Sequence, residues 1–123
     1  MSFDCGCQMA DIRLTDIFTN YQRNAKRRGL EFNLSREEFR GITQENCFYC
    51  GCEPKQVRKR PNLSGCFTYN GIDKIDNTLG YIEGNYVPCC GVCNRAKDVM
   101  SQEDFLNHIE RIYKNVIKKE ILI

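Results

Sequence analysis

Two Cys-x-x-Cys pairs, Cys47-Phe-Tyr-Cys50 and Cys90-Gly-Val-Cys93, stand on either side of residues 51–89. Two intervening residues let both thiolates of a pair converge on one ion, and four thiolates at about 2.3 Å close a tetrahedral Zn2+ site with no position left for substrate. The chemistry expected of Cys47, Cys50, Cys90 and Cys93 is therefore structural, with the binding free energy of the zinc becoming folding free energy. Cys89 could stand in for Cys90, but its spacing to Cys93 is one residue longer, which favours Cys90. Of the nine cysteines, Cys5, Cys7, Cys52, Cys66 and Cys89 are left over. Cys66 and Cys89 read as buried free thiols, and Cys5-Gly-Cys7 as a weaker second metal pair.

A further set of residues runs between and beyond these pairs: Gly71-Ile-Asp73-Lys74-Ile-Asp76-Asn77, Gly80-Tyr81, Asn85-Tyr-Val-Pro88 and Asn94-Arg-Ala-Lys97. In this order, with the cysteines, they resemble the HNH endonuclease family, in particular its zinc-stapled phage-type members, over residues 47–110. The resemblance implies an α+β fold, a ββα-metal (His-Me) finger with a treble-clef-like zinc site of four cysteines. In it a hairpin and the following helix hold one catalytic divalent cation, Mg2+ or Mn2+. It further implies a metal-dependent DNA endonuclease, acting on double-stranded DNA and leaving a 5′-phosphate and a 3′-hydroxyl. Asp73 then matches the acidic residue before the usual catalytic His, Asn85 the central Asn, and Asn94 the final metal-binding residue. One position departs, since Lys74 stands where the general-base His is found.

The chemistry of these residue types fits that implication. Phosphodiester hydrolysis needs a hard cation on the phosphate, oxygen ligands for the cation, and a means of delivering hydroxide in line. Asp73 and Asn94 offer the oxygens, and Asn94 directly follows a proposed zinc ligand, so the clamp would also fix a catalytic ligand. A lysine acts as a base only if its pKa falls from ~10.4 towards ~7–8. Asp73 and Asp76 are expected to oppose that fall. Lys74 is therefore read as a charged phosphate contact, with deprotonation of water left to the cation or to Asp76. The only His, His108, lies far along the last helix and reads as a surface or packing residue. Without the His, the alternative is a non-catalytic zinc-stapled nucleic-acid-binding protein, and a third reading is a scaffold for a protein partner.

The elements that must position these residues are legible from periodicity. Leu14, Ile17, Phe18, Tyr21 and Ala25 recur at three and four, which predicts a helix over 10–28 closed by Gly29. Its basic end, Arg23 to Arg28, complements the helix dipole or forms a phosphate-contacting surface. Ser35-Arg-Glu-Glu38 has capping-box spacing ahead of a short helix around Phe39. Residues 55–60 carry four basic side chains and no acid, which predicts an exposed loop, with Lys55, Arg58, Lys59 and Arg60 as nucleic-acid contacts beside Arg95 and Lys97. Phe67 to Tyr81, broken at Asn70-Gly71 and Asp76-Asn77, predicts a hairpin or paired short strands. A final helix starts at Ser101 and shows Phe105, Ile109, Ile112, Tyr113 and Val116 on one face.

With 123 residues, one domain is expected: a helical prelude over 1–46, the zinc-stapled core over 47–100 and a C-terminal helix over 101–123. A net charge of +2 does not announce a nucleic-acid partner, so the electrostatic case rests on patches. No apolar run reaches the length of a secretion signal or a membrane span. Together with an odd cysteine count, this predicts a soluble intracellular protein, in a host-cell cytoplasm if phage-encoded, with metal rather than disulfides on its cysteines.

Overall fold

The computed structural model describes residues 6–57 and 68–118. The expectations placed on Cys5, Arg58, Lys59, Arg60 and Cys66, and on the Cys7 side chain, lie outside what is described.

Helix α1, Gly6–Arg27, buries the predicted stripe: Leu14, Ile17 and Ala25 are fully enclosed, with Phe18 and Tyr21 packed beside them. It ends where Gly29 adopts φ 72°, which lets the Leu30 amide donate to the Ala25 carbonyl at 2.8 Å and the Gly29 amide to Lys26 at 3.0 Å. Helix α2, Arg36–Thr43, starts at the predicted capping box, where Ser35 Oγ accepts from the Glu38 amide and Glu38 Oε1 accepts from the Ser35 amide. Its Phe39 is the centre of an aromatic cluster, with ring centroids 5.3 Å from Phe18 and 5.4 Å from Tyr21. Truncating such a side chain to alanine costs about 3–5 kcal/mol.

Two antiparallel ribbons follow. Strand β1, Gln56–Val57, pairs with β2, Thr68–Tyr69. Strand β3, Gly71–Lys74, pairs with β4, Tyr86–Cys89, in a register that sets Gly71 against Cys89 and Lys74 against Tyr86. Two expectations are corrected here. Residues 55–60 are not loop throughout, because Gln56 and Val57 are strand. Nor do Thr68–Tyr69 and Gly71–Lys74 form one hairpin: they are paired short strands, as the alternative had it, but in two different ribbons. Asn70 explains the break, since its amide donates to the Thr43 carbonyl at 2.8 Å and its side chain to Glu45, pinning the chain to the end of α2 instead of turning it.

Helix α3, Gly91–Lys97, begins immediately after β4, and α4, Gln102–Ile112, starts at Ser101 and runs into a π-helical turn, Tyr113–Ile117. Ser101 caps α4 as predicted, accepting from the Asp104 amide. The apolar face of α4 behaves differently from the expectation. Only Phe105 is buried, while Ile109, Ile112, Tyr113 and Val116 stay exposed.

Ile72 and Tyr81 share one hydrophobic cluster with Leu14, Ile17, Leu34 and Phe39, so the hairpin packs directly on the two N-terminal helices. Phe32 forms a bridge with Tyr81, and Gly80 lies so close to Glu31 that a Cβ there would overlap its backbone. Beside it, the Ile72 amide donates to the Tyr21 hydroxyl at 3.1 Å, and the Phe48 amide donates to the Pro88 carbonyl at 2.8 Å. A Cβ on Gly71 would collide with that same Tyr21 hydroxyl.

Candidate functional site

The cysteines converge because two local turns face each other. The Cys47 amide donates to the Cys52 carbonyl at 2.9 Å, and Gly51, at φ 80°, lets the chain double back after Cys50. Across from it Cys90 caps α3, its Sγ accepting from the Cys93 amide. The Sγ atoms of Cys47, Cys50, Cys90 and Cys93 all lie within 4.8 Å of one another, and Cys50 and Cys90 are 3.7 Å apart. A tetrahedron of sulfurs at ~2.3 Å from its centre has edges of about 3.8 Å. The four therefore fit one tetrahedral ion, and an all-thiolate donor set suits a metal such as zinc. Burial works to push the Cys47 thiol up, but amides of Cys50, Cys90 and Tyr49 outweigh it and bring it down to about 6, whereas burial, with the Cys90 and Cys50 side chains, pushes the Cys93 thiol up. Cys89, the alternative to Cys90, is buried outside this group and donates to the Cys90 carbonyl.

At the other end of the hairpin a cleft of about 670 Å³ brings together Asp73 and Lys74 from β3, Asn94 and Arg95 from α3, and Arg28 from the end of α1. Asp73 is nearly enclosed. Its Oδ2 accepts from the Tyr49 hydroxyl at 2.9 Å, and the Lys97 ammonium lies 3.2 Å from Oδ2 and 3.4 Å from Oδ1. Lys97 is 0% exposed and donates to the Lys74 carbonyl as well, at 3.2 Å. This corrects the expectation that Lys97 contacts phosphate: one helical turn beyond Asn94, it points inward and is committed to Asp73.

Lys74 is itself 7% exposed, with Nζ 4.8 Å from the centre of the Tyr81 ring. Burial is the main force holding its pKa below the usual lysine value; Arg28 adds to it, and Lys97 more weakly, against the opposing pull of Asp73. The expected dominance of acidic neighbours is therefore reversed, because Asp73 faces Lys97 and Asp76 is directed elsewhere. Asp76 lies in an exposed turn outside the cleft lining, where its Oδ1 accepts from the Thr78 amide and hydroxyl, which lowers its pKa. A carboxyl lowered in this way is a poorer base.

Asn85 is buried and lies behind the cleft. Its Oδ1 accepts from the Asp76 amide at 2.9 Å, and its Nδ2 donates to the carbonyls of Asp76 and Gly80. One side chain thus fixes both ends of the loop that returns the chain to β4. Arg95 lines the cleft and also a shallower hollow shared with Lys55. His108 is an exposed surface residue whose Nδ1 is 3.1 Å from Arg111. Sequence patterns did not single out Tyr49 as a partner of Asp73, and they named Arg28 only within the basic run Arg23 to Arg28, not as part of the cleft. Tyr49 is visible only as a spacer between two cysteines, and its contact with Asp73 joins positions 24 residues apart.

No family model matches the chain. The fold is HNH-endonuclease-like: it aligns with the rare-cutting HNH restriction endonuclease PacI at a TM-score of 0.56, covering 88% of this chain and 82% of that one, with 22% identity. Over 92 residues the chain is 37% identical to the uncharacterized protein R423 of Acanthamoeba polyphaga mimivirus. That stretch is 75% of this chain and 15% of the mimivirus protein, so the chain spans a small part of that relative's length. Among the described residues no helix is long and apolar enough to cross a membrane.

Proposed function

We propose that the chain is a metal-dependent DNA endonuclease of HNH type in which Lys74 takes the place of the usual His. The observation that supports it is the shared cleft: Asp73 and Lys74 on the hairpin and Asn94 on the helix that carries Cys93 line one cavity of an HNH-endonuclease-like fold. Asp73 and Asn94 would hold a divalent cation such as Mg2+ or Mn2+. A carboxylate has about four lone-pair sites, so the donors on Asp73 leave acceptor capacity free, and a side-chain amide oxygen is an equally hard partner. When bound, such an ion supplies Lewis-acid charge at the phosphate.

The protein's own groups do the rest. Tyr49 and Lys97 fix the Asp73 carboxylate, Asn85 fixes the loop behind it, and the Lys74 ammonium faces the phosphate, where it stabilises charge developing on the oxygens. The zinc clamp on Cys47, Cys50, Cys90 and Cys93 holds α3, and with it Asn94, against the hairpin. Lys55 and Arg95 extend the contact along the DNA backbone. Incubating plasmid and single-stranded DNA with the protein and Mg2+ or Mn2+ tests this. Cutting by the wild type that disappears in Asp73→Ala, with the clamp metal retained, is the expected result.

The Asp73–Lys97 pair favours a second reading, a non-catalytic nucleic-acid-binding protein, because a carboxylate with an internal counter-cation needs no metal. Salt-sensitive DNA binding without cutting by any divalent cation would decide for it.

A further inference from the structure

The cations of the cleft are not equivalent. Among the described residues Lys97 has a carboxylate, and Lys74 and Arg28 do not. Lys74 is more than nine-tenths buried and has, among the described residues, the Tyr81 ring as its contact and no acidic partner. Along the end of α1, Arg23 and Arg27 donate to Asn20 and Asn24 at 2.8 Å, whereas the Arg28 guanidinium has no acceptor among the described residues and lines the cleft. The Gly29 cap turns the chain directly after Arg28, whose side chain is exposed and lines the cleft.

Two like charges brought to one cavity raise each other's cost, and burial of one raises it further. The acids of the lining are Asp73, already paired with Lys97, and the exposed Asp98. An anion entering between Arg28 and Lys74 would relieve both. Phosphate fits best: a guanidinium offers it a planar fork of donors and an ammonium a point charge.

We infer that Arg28 and Lys74 form a phosphate-binding subsite, which makes the C-terminal end of α1 part of the nucleic-acid interface. The identity of the ligand as a backbone phosphate rests on the nuclease reading; the anion site itself does not. Arg28 is a binding residue outside the hairpin and helix of the finger, and it sets how far along the backbone the cleft reaches.

The test uses the full chain with its cysteine-bound metal and no added divalent cation, titrated with inorganic phosphate and followed by backbone amide NMR. The expected result is one saturable site that shifts the amides of residues 72–74 and 94–95, weakened at least tenfold by Arg28→Gln and largely retained by Arg28→Lys. On a duplex oligonucleotide, Arg28→Gln should reduce the log–log salt slope by about 0.9, the contribution of one phosphate. Its thermal midpoint should not fall, since the substitution removes a repulsion. Unchanged phosphate affinity and an unchanged slope in Arg28→Gln would overturn the subsite even if DNA were cut. Saturable phosphate binding in a protein that never cuts DNA would leave the subsite standing and remove the nuclease reading.

Discussion

At the Cys90 end of the β3–β4 hairpin, four sulfurs converge within 4.8 Å, a donor set that fits a metal cation. At the Lys74 end, Asp73 has a cation supplied by the chain itself, the buried Lys97. The same short helix serves both: Cys93 and Lys97 are one turn apart on α3. The difference separates two tasks. A metal on the cysteines would tie the fold to its presence, whereas the cleft has a counter-charge for Asp73 built into the chain.

The largest effect should come from breaking the clamp. Structural zinc contributes about 10–16 kcal/mol of apparent binding free energy in small finger peptides, as much as the whole stability of a typical domain. Cys93→Ser, or a strong chelator, is expected to abolish the cooperative thermal transition and the far-UV helical signal. A metal-free protein with an unchanged melting curve would remove the contrast between the two ends.

Next in size is the internal pair. Lys97→Met leaves the Asp73 carboxylate buried without its cation, which should cost about 3–5 kcal/mol in denaturant unfolding with the clamp metal still bound. Added Mn2+ should recover part of that loss in Lys97→Met and little in the wild type. If it recovers none, Asp73 does not take a divalent ion.

Lys74 sharpens the comparison on the chemical side. Lys74→Ala is expected to lower DNA cleavage on the order of 10²- to 10³-fold, as for a lost electrostatic contact, while Lys74→Arg keeps most of the rate. Equal inactivity of both variants would instead make Lys74 a base, because arginine does not deprotonate in this range.

The smallest effect concerns Asp76, which belongs to neither end. Its folded pKa is depressed by Thr78, so the stability it contributes is present above its unfolded value of ~3.9 and lost as pH falls through the folded one. Thr78→Ala should move the Asp76 carboxyl resonance upward in an NMR titration. Added divalent cation should leave that titration unchanged.

The convergence of the four cysteines was legible in the sequence because metal sites impose a recognisable spacing on their ligands. The capping box at Ser35 and the apolar stripe of α1 were legible for the same kind of reason, being set by neighbours a few residues apart on the chain. The pairing of Asp73 with Lys97 and Tyr49 was not, since each contact spans 24 residues and is fixed only by how α3 and the Cys47–Cys50 turn pack on β3. In α4 the periodicity gave a helix with an apolar face but not what covers it: Phe105 is 4% exposed and packs on Tyr49, while Ile109, one turn on, is 44% exposed. The split of Thr68–Tyr69 and Gly71–Lys74 between two ribbons depended on Asn70 reaching the end of α2, which no local pattern encodes.

A two-stranded ribbon carries two open edges, each a template onto which a strand of another chain can add. In this hairpin both are closed at the same level. The Ile72 amide on β3 is taken by the Tyr21 hydroxyl, and on β4 the Pro88 carbonyl is taken by the Phe48 amide, while Pro88 has no amide of its own to offer. Gly71 keeps the first closure possible, because any side chain there would push Tyr21 off the strand. The helix α1 and the cysteine turn therefore act as stoppers against strand addition, so the hairpin carries the cleft without inviting a neighbour to extend it.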